Sequence, residues 1–306
     1  MNWIRKNYAH IVFAIVMLFF IYQHFKYLDW DFIVYILNGK SFFSNGNYFE
    51  WTRPPLMPFL LFIFGITKTR LAEYLFIILV SSLHFYSSLR LAEKFNINKN
   101  TYYFLSLSPF LFLNGLTVGT ELLTLALIQL FLAFYDKVGS SVFLALAFLS
   151  RYPAIVFAPL ILFKKDFKKI ILDIFIFSLI ILPWLFYNFL KKGNFLYSLV
   201  DSYALNVKFR DYMVFDLSLE KILLVGSYLL IFSLIYLLLN YRKIKKNEMI
   251  MLFVLVITLV SFFKTPLKDS RYLFLILIPL TYFSTLFISK LKYKHLIVFF
   301  ILIINL

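Results

Sequence analysis

Apolar residues in this chain do not alternate or recur on one face; they come in unbroken runs separated by short basic or aromatic punctuation. Runs of roughly 15–20 apolar residues predict helices that cross a bilayer. They fall near 9–25, 71–90, 101–117, 121–135, 170–188, 221–240, 249–263, 272–289 and 295–306. Two shorter apolar pieces, 141–150 and 154–163, flank Arg151, Tyr152 and Pro153. Each is about half a bilayer long at roughly 1.5 Å per residue. They predict a broken or re-entrant pair, and backbone broken at membrane depth must face protein or water, so Arg151 is expected to line a cavity.

Composition agrees with the pattern. Of 306 residues, 62% are hydrophobic and 21% aromatic, and the mean hydropathy is +0.85. A soluble core of this size could not hide that much apolar surface, so the fold class is an all-α polytopic integral membrane protein, read as one domain over 1–306. The span from Ala9 to Phe25 follows Arg5 and Lys6 as a signal sequence would, but a bulky Tyr-Gln-His-Phe-Lys run stands where small residues mark cleavage. It reads as a retained anchor. The chain has no cysteine, which excludes disulfides and thiolate metal sites.

The net charge of +16 comes from short clusters between spans rather than from one basic face, so no nucleic-acid role follows. With a cytoplasmic N-terminus, every cluster from Arg90/Lys94/Lys99 to Lys290/Lys292/Lys294 falls on the inner side. That layout requires Leu56 to Ile66 to lie flat at the outer interface. The outer side, expected at a plasma membrane, then consists of a first loop over 26–70, a second over 189–220, and the turn ending at Arg271. Acidic residues gather there: Asp29, Asp31, Glu50, Asp201, Asp211, Asp216, Glu220 and Asp269.

The stretch Tyr27 to Pro58 is the densest in chemistry. Asp31 and Tyr35, four apart, share a face if 30–40 is helical, with Asp29 just before its start. A bland account is available, with Asp29 as a helix cap and Asp31 complementing the helix dipole. Glu50, Arg53 and Pro54-Pro55 follow within the same loop. Tyr48, Phe49 and Trp51 flank the last two charges. His10, His24, His84 and His295 are scattered over different spans and give no histidine metal site. Two or three outer carboxylates could still hold a divalent ion, so a metal cofactor stays open.

An acidic residue four before a tyrosine in the first outer loop, then a glycine-bearing stretch and Pro54-Pro55-Leu56, resembles the GT-C class of polyprenyl-phosphate-dependent glycosyltransferases. That class includes protein O-mannosyltransferases and lipid A aminoarabinose transferases. Later features are similar: Gly119-Thr120-Glu121, Leu149 to Pro153, Pro183-Trp184 with Asn188, and Arg271-Tyr272 followed by Pro279. The protein O-mannosyltransferases usually carry Asp-Glu and His-Pro-Pro where this chain has Asp31-Phe32 and Arg53-Pro54-Pro55, so the acceptor class does not carry over. The Trp-Trp-Asp-Tyr-Gly signature of oligosaccharyltransferases and their soluble domain are missing.

The resemblance implies a GT-C-like bundle of about nine to eleven transmembrane helices. It also implies transfer of a sugar, such as the hexose mannose, from a polyprenyl or dolichyl phosphate to an acceptor hydroxyl on a protein, lipid or lipid-linked glycan. In that chemistry one carboxylate takes the acceptor proton, and cations meet the charge growing on the leaving phosphate. Asp31 is the candidate base, with Asp29 in reserve. Arg271, Arg53, Arg151 and Lys268 are the candidate phosphate ligands. Tyr35, Glu50, Trp51 and Glu121 are candidate substrate contacts, although Glu121 at the start of a span also suits a helix cap, and Lys268 and Arg271 also suit interfacial anchors. Two other functions fit the sequence: a transporter or lipid flippase, and a non-catalytic subunit of a membrane complex. A transporter would favour repeated halves and intramembrane charges. The chain has no visible repeat, and its carboxylates sit in loops.

Overall fold

The computed structural model describes residues 2–27, 29–43, 48–65, 69–164, 166–210, 219–265, 269–294, 297–298 and 300–301, and every regular element among them is helical. In chain order these are α1 (Asn2–Lys26), α2 (Trp30–Phe43), α3 (Leu56–Gly65), α4 (Thr69–Lys94), α5 (Lys99–Ser106), α6 (Pro109–Asn114), α7 (Thr120–Ala133) and α8 (Ser141–Ser150). A 3₁₀ segment, Tyr152–Phe163, leads to α9 (Phe167–Lys192), α10 (Tyr197–Asn206), α11 (Leu219–Asn240) and α12 (Lys246–Lys264). Two 3₁₀ turns, Ser270–Tyr272 and Phe274–Ile276, then run into α13 (Leu277–Ser289).

Five stretches are long and apolar enough to cross a membrane: Tyr8–Lys26, Thr69–Lys94, Phe167–Lys192, Leu219–Lys243 and Lys246–Lys264. The chain is therefore a multi-pass membrane protein in its helical content. Several of the expected crossings are shorter or broken among the described residues. The run expected as one helix over 101–117 is two, since Pro109 has no amide hydrogen and starts a new helix capped by Ser108. The run expected over 272–289 begins as 3₁₀ turns and becomes α-helical only at Leu277. The expected break at Arg151 is present: its backbone is extended, with φ −151° and ψ 118°, between α8 and the 3₁₀ segment. The expected last span, 295–306, lies mostly outside the described residues.

Short helices are tolerated here because they sit inside the bundle. All fourteen residues of α7 are buried, and α4 and α8 pack directly against it. Several polar groups in this interior satisfy one another. Ser87 donates to Gln129 Oε1 at 2.7 Å, Gln129 donates to Tyr102 Oη at 3.2 Å, and Ser106 Oγ meets His84 Nε2 at 3.3 Å. Lys164 pairs with Asp173, whose other oxygen accepts from Gly139 N and Ser141 Oγ, each at 2.9 Å. Satisfying such groups internally is what a low-dielectric surround demands.

Long-range contacts sort the helix termini into two ends. At one end, Gln23 on α1 donates to Phe112 O on α6 at 2.6 Å, and His24 meets Glu73 at the start of α4 at 2.9 Å. Trp51, between α2 and α3, stacks on Trp184 of α9 there, and Tyr272 donates to Asn206 of α10. At the other end, Lys94 pairs with Asp136, Asn100 donates to Tyr8 Oη at 2.9 Å, and Lys290 donates to Asn240 Oδ1 at 3.1 Å. The expected outer residues gather at the first end and the expected inner basic clusters at the second. Helix α3, expected to lie flat over Leu56 to Ile66, is ten residues long and packs between α2 and α4 through Met57, Pro58 and Leu61.

Candidate functional site

The start of α2 is set by Asp29. Its Oδ1 accepts from the amide of Asp31 at 2.8 Å, and its carbonyl accepts from Ile33 N at 3.4 Å, the bonding of a helix cap. The capping role puts Asp31 in the first turn with its carboxylate turned away from the cap.

Two arginines close on that carboxylate. Arg53 Nη2 donates to Asp31 Oδ1 at 2.6 Å, and Arg271 Nη1 donates to Asp31 Oδ2 at 2.9 Å. Each arginine has a second carboxylate of its own. Arg53 Nε donates to Glu50 Oε1 and Arg271 Nε to Asp269 Oδ2, both at 3.0 Å. Glu50 is fixed in turn: Thr52 donates to it at 2.7 Å and Tyr48 at 3.2 Å, while Asn38, fully buried, brackets its backbone with bonds of 2.8 and 2.9 Å. Asp269 also accepts from its own turn, taking Arg271 N at 2.9 Å. The result is a ladder of alternating charge, with three carboxylates against two guanidiniums.

Burial alone would push the Asp31 carboxyl up, but the charge of Arg53 and the hydrogen bonds from both arginines outweigh it and hold the group below its usual range. Asp31 is thus an ionised carboxylate with both oxygens occupied. Arg53 also lies 5.6 Å over the ring of Tyr35, so Asp31 and Tyr35 do share a face of α2, one turn apart.

Beside this ladder lies a second pair. Arg151, at the break after α8, is paired with the buried Glu121 in the first turn of α7 and reaches Thr120 Oγ1 at 3.4 Å. Its guanidinium stands 5.3 Å over Phe274 and 5.7 Å over Tyr272, the neighbour of Arg271. Glu121 therefore pairs across the bundle, and the cap position of α7 is Gly119 at φ +95°. A Cβ on Gly119 would meet Met57 Cε at 2.6 Å and Phe32 Cε2 at 3.0 Å, so glycine lets α7 abut the two helices that carry Asp31 and follow Arg53.

Trp51 turns to the other side of the loop. With Trp184 and Tyr187 it forms three nearly parallel rings, centroids 5.6–6.2 Å apart and planes within 26°. Lys192 Nζ lies 5.3 Å over Trp51. The group is tied to the Arg151 break through Trp184 Nε1, which donates to Tyr152 Oη at 3.1 Å.

Of the sequence-predicted residues, Asp31, Arg53, Arg271, Glu50 and Tyr35 form one connected cluster, and Arg151 with Glu121 forms an adjoining pair. Asp29 supports from beneath, and Trp51 belongs to the aromatic group. Lys268, Asp211 and Asp216 lie outside the described residues. Sequence reasoning missed Asp269 and Asn38 as partners, and Trp184 with Tyr187 as the companions of Trp51. Asp269 precedes Arg271 by two, a spacing that suits a local turn, and Trp184 and Tyr187 are three apart on one helix face. Among the described residues no three acidic or histidine side chains group as a metal site. Compared with known proteins, no family model matches the chain, and neither does any curated protein or solved structure.

Proposed function

We propose that this protein is a membrane glycosyltransferase that moves a sugar from a polyprenyl-phosphate donor to an acceptor hydroxyl at the outer face of the membrane. The observation that carries the reading is Asp31 held between Arg53 and Arg271 at one end of an apolar helical bundle. A base and two cations side by side are what the transfer requires. The acceptor oxygen forms a bond to the anomeric carbon as its proton passes to Asp31. The bond from that carbon to the phosphate oxygen breaks, and the electron pair leaves with the lipid phosphate, inverting the anomeric centre. Arg53 and Arg271 are placed to meet the charge that grows there, which is worth most in a site shielded from water.

The remaining assignments follow from contacts. Glu50 and Asp269 aim the two arginines, and the Glu121–Arg151 pair braces Tyr272 and the end of the bundle beneath them. The stacked rings of Trp51, Trp184 and Tyr187 offer an apolar surface for the donor. The test is direct. Membranes containing the full chain, incubated with labelled polyprenyl-phosphate sugars and a panel of hydroxyl acceptors, should yield a labelled product absent from membranes without it. No product with any donor and acceptor would overturn the reading.

A further inference from the structure

We infer that Asp31 and an incoming lipid phosphate exchange the same two guanidiniums, so that one clamp serves first the base and then the leaving group. The inference rests on the transferase reading and adds how its base is brought into play.

The geometry of the arginines carries it. Both turn an Nη group to Asp31, and both keep Nε on a different carboxylate, Glu50 or Asp269. The Nε bonds can therefore persist while the Nη groups change partner, and a phosphate matches the guanidinium fork as a carboxylate does. The side chains of Arg271 and Arg53 are 32% and 23% exposed, against 17% for the carboxylate they enclose, so the cations are the more accessible half of the pair. Among the described residues, the charged groups around Asp31 belong to this arrangement or brace it: Asp29 at the start of its own helix, Glu50 and Arg53 from the loop, Asp269 and Arg271 from the turn, and Glu121 with Arg151 from the neighbouring break.

The charge count makes the exchange useful. Among the described residues three carboxylates already occupy the two guanidiniums, so an arriving phosphate must displace one of them, and Asp31 is the one held by Nη groups alone while Glu50 and Asp269 aim the arginines through Nε. An Asp31 carboxylate that has lost its guanidiniums is a better base, because the cations that suppressed its proton affinity have moved away. During transfer the acceptor proton neutralises Asp31 while the departing phosphate gains a charge. Negative charge thus passes from the aspartate to the phosphate, and the arginines are already there.

The experiment measures binding of a short-chain polyprenyl monophosphate to the full protein in detergent, with the matching polyprenol as an uncharged control. Asp31→Asn removes the competing charge and should bind the phosphate about tenfold tighter than wild type, with polyprenol binding unchanged. Asp269→Asn, which frees the Nε anchor but leaves Asp31 in place, should bind the phosphate more weakly. Adding Arg271→Ala should abolish the gain of Asp31→Asn. Equal or weaker phosphate binding by folded Asp31→Asn overturns the exchange, as does a gain that survives Arg271→Ala. Should Asp31→Asn fail to fold, Asp269→Asn decides, and unchanged affinity in it overturns the exchange. The transfer assay is read separately: tight binding without sugar transfer by wild type removes the transferase reading alone, and loss of turnover without a binding gain removes the exchange alone.

Discussion

Asp31 is difficult to protonate for the reason that it holds its surroundings together: each of its oxygens takes a guanidinium. As the general base it should be costly to neutralise. Asp31→Asn keeps the size but cannot accept the proton, and turnover should fall by roughly 10²–10⁴-fold. Asp29→Ala removes only a helix cap, worth about 1 kcal/mol, and should lower the unfolding temperature while sparing turnover. Turnover lost in Asp29→Ala and kept in Asp31→Asn would reverse the assignment. The pH dependence follows from the lowered Asp31 pKa. An unfolded aspartate titrates near about 3.9. The folded state holds Asp31 lower, so the stability this clamp supplies is present above that pH and is lost as pH falls through the folded value. The acid limb that Asp31 contributes to kcat/KM, which reports the free enzyme, should accordingly lie below the usual carboxylate range, and Arg271→Ala should move it upward. An acid limb that stays in place in Arg271→Ala would separate Arg271 from the base. The participation of Asp31, Arg53 and Arg271 was legible in the sequence because charge is scarce outside the basic clusters. Their pairing was not. Several carboxylates and four candidate cations allow many combinations, and only the fold brings residues 31 and 271 together while giving Glu50 to Arg53 and Asp269 to Arg271.

The meeting of α2, α3 and α7 depends on one residue without a side chain. Gly119 combines a left-handed backbone with contact against Met57 and Phe32. Gly119→Ala should therefore cost roughly 1–2 kcal/mol for the backbone and about 1–3 kcal/mol more for overpacking. Thermal unfolding would record this, and an unchanged transition would show that α7 can move away from α2. Element boundaries were legible where chemistry punctuates the chain. Pro153 and Arg151 marked the break after α8, and Gly193, at φ +70°, closes α9 where the long apolar run ends. They were hidden where apolar residues continue through a change of geometry. Nothing in the run 101–117 distinguishes a straight helix from α5 and α6 apart from Pro109. The run 152–163 gives no sign that it winds as 3₁₀. That tighter winding carries its twelve residues about 24 Å. An α-helix of the same residues would span only about 18 Å. The segment thus reaches the far end of the bundle, where Lys164 meets Asp173.

For the molecule as a whole, the predicted layout puts the Asp31 end outside and the lysine-rich end inside. The chain has no cysteine, so single cysteines can be introduced without a competing background. Cysteines replacing Lys94 and Lys245 should be shielded from an impermeant thiol reagent in intact cells, and cysteines replacing Tyr48 and Lys208 should react. Equal reactivity of positions 48 and 94 would overturn the layout. The helical membrane class was legible at this level, since hydropathy is summed over long stretches and tolerates local error. Which apolar runs form long helices was not, because a helix enclosed by protein on all sides, as α7 is, need not match the thickness of a bilayer. The bond between Asp31 and Arg271 joins residues 240 apart in the chain. At translation rates of about 5–20 residues per second, its second partner emerges at least roughly ten seconds after its first. During biogenesis Asp31 therefore stands with Arg53 alone until Arg271 has been made. A product truncated before Arg271 lacks half of the clamp, so on the transferase reading it should bind no donor phosphate there and transfer no sugar.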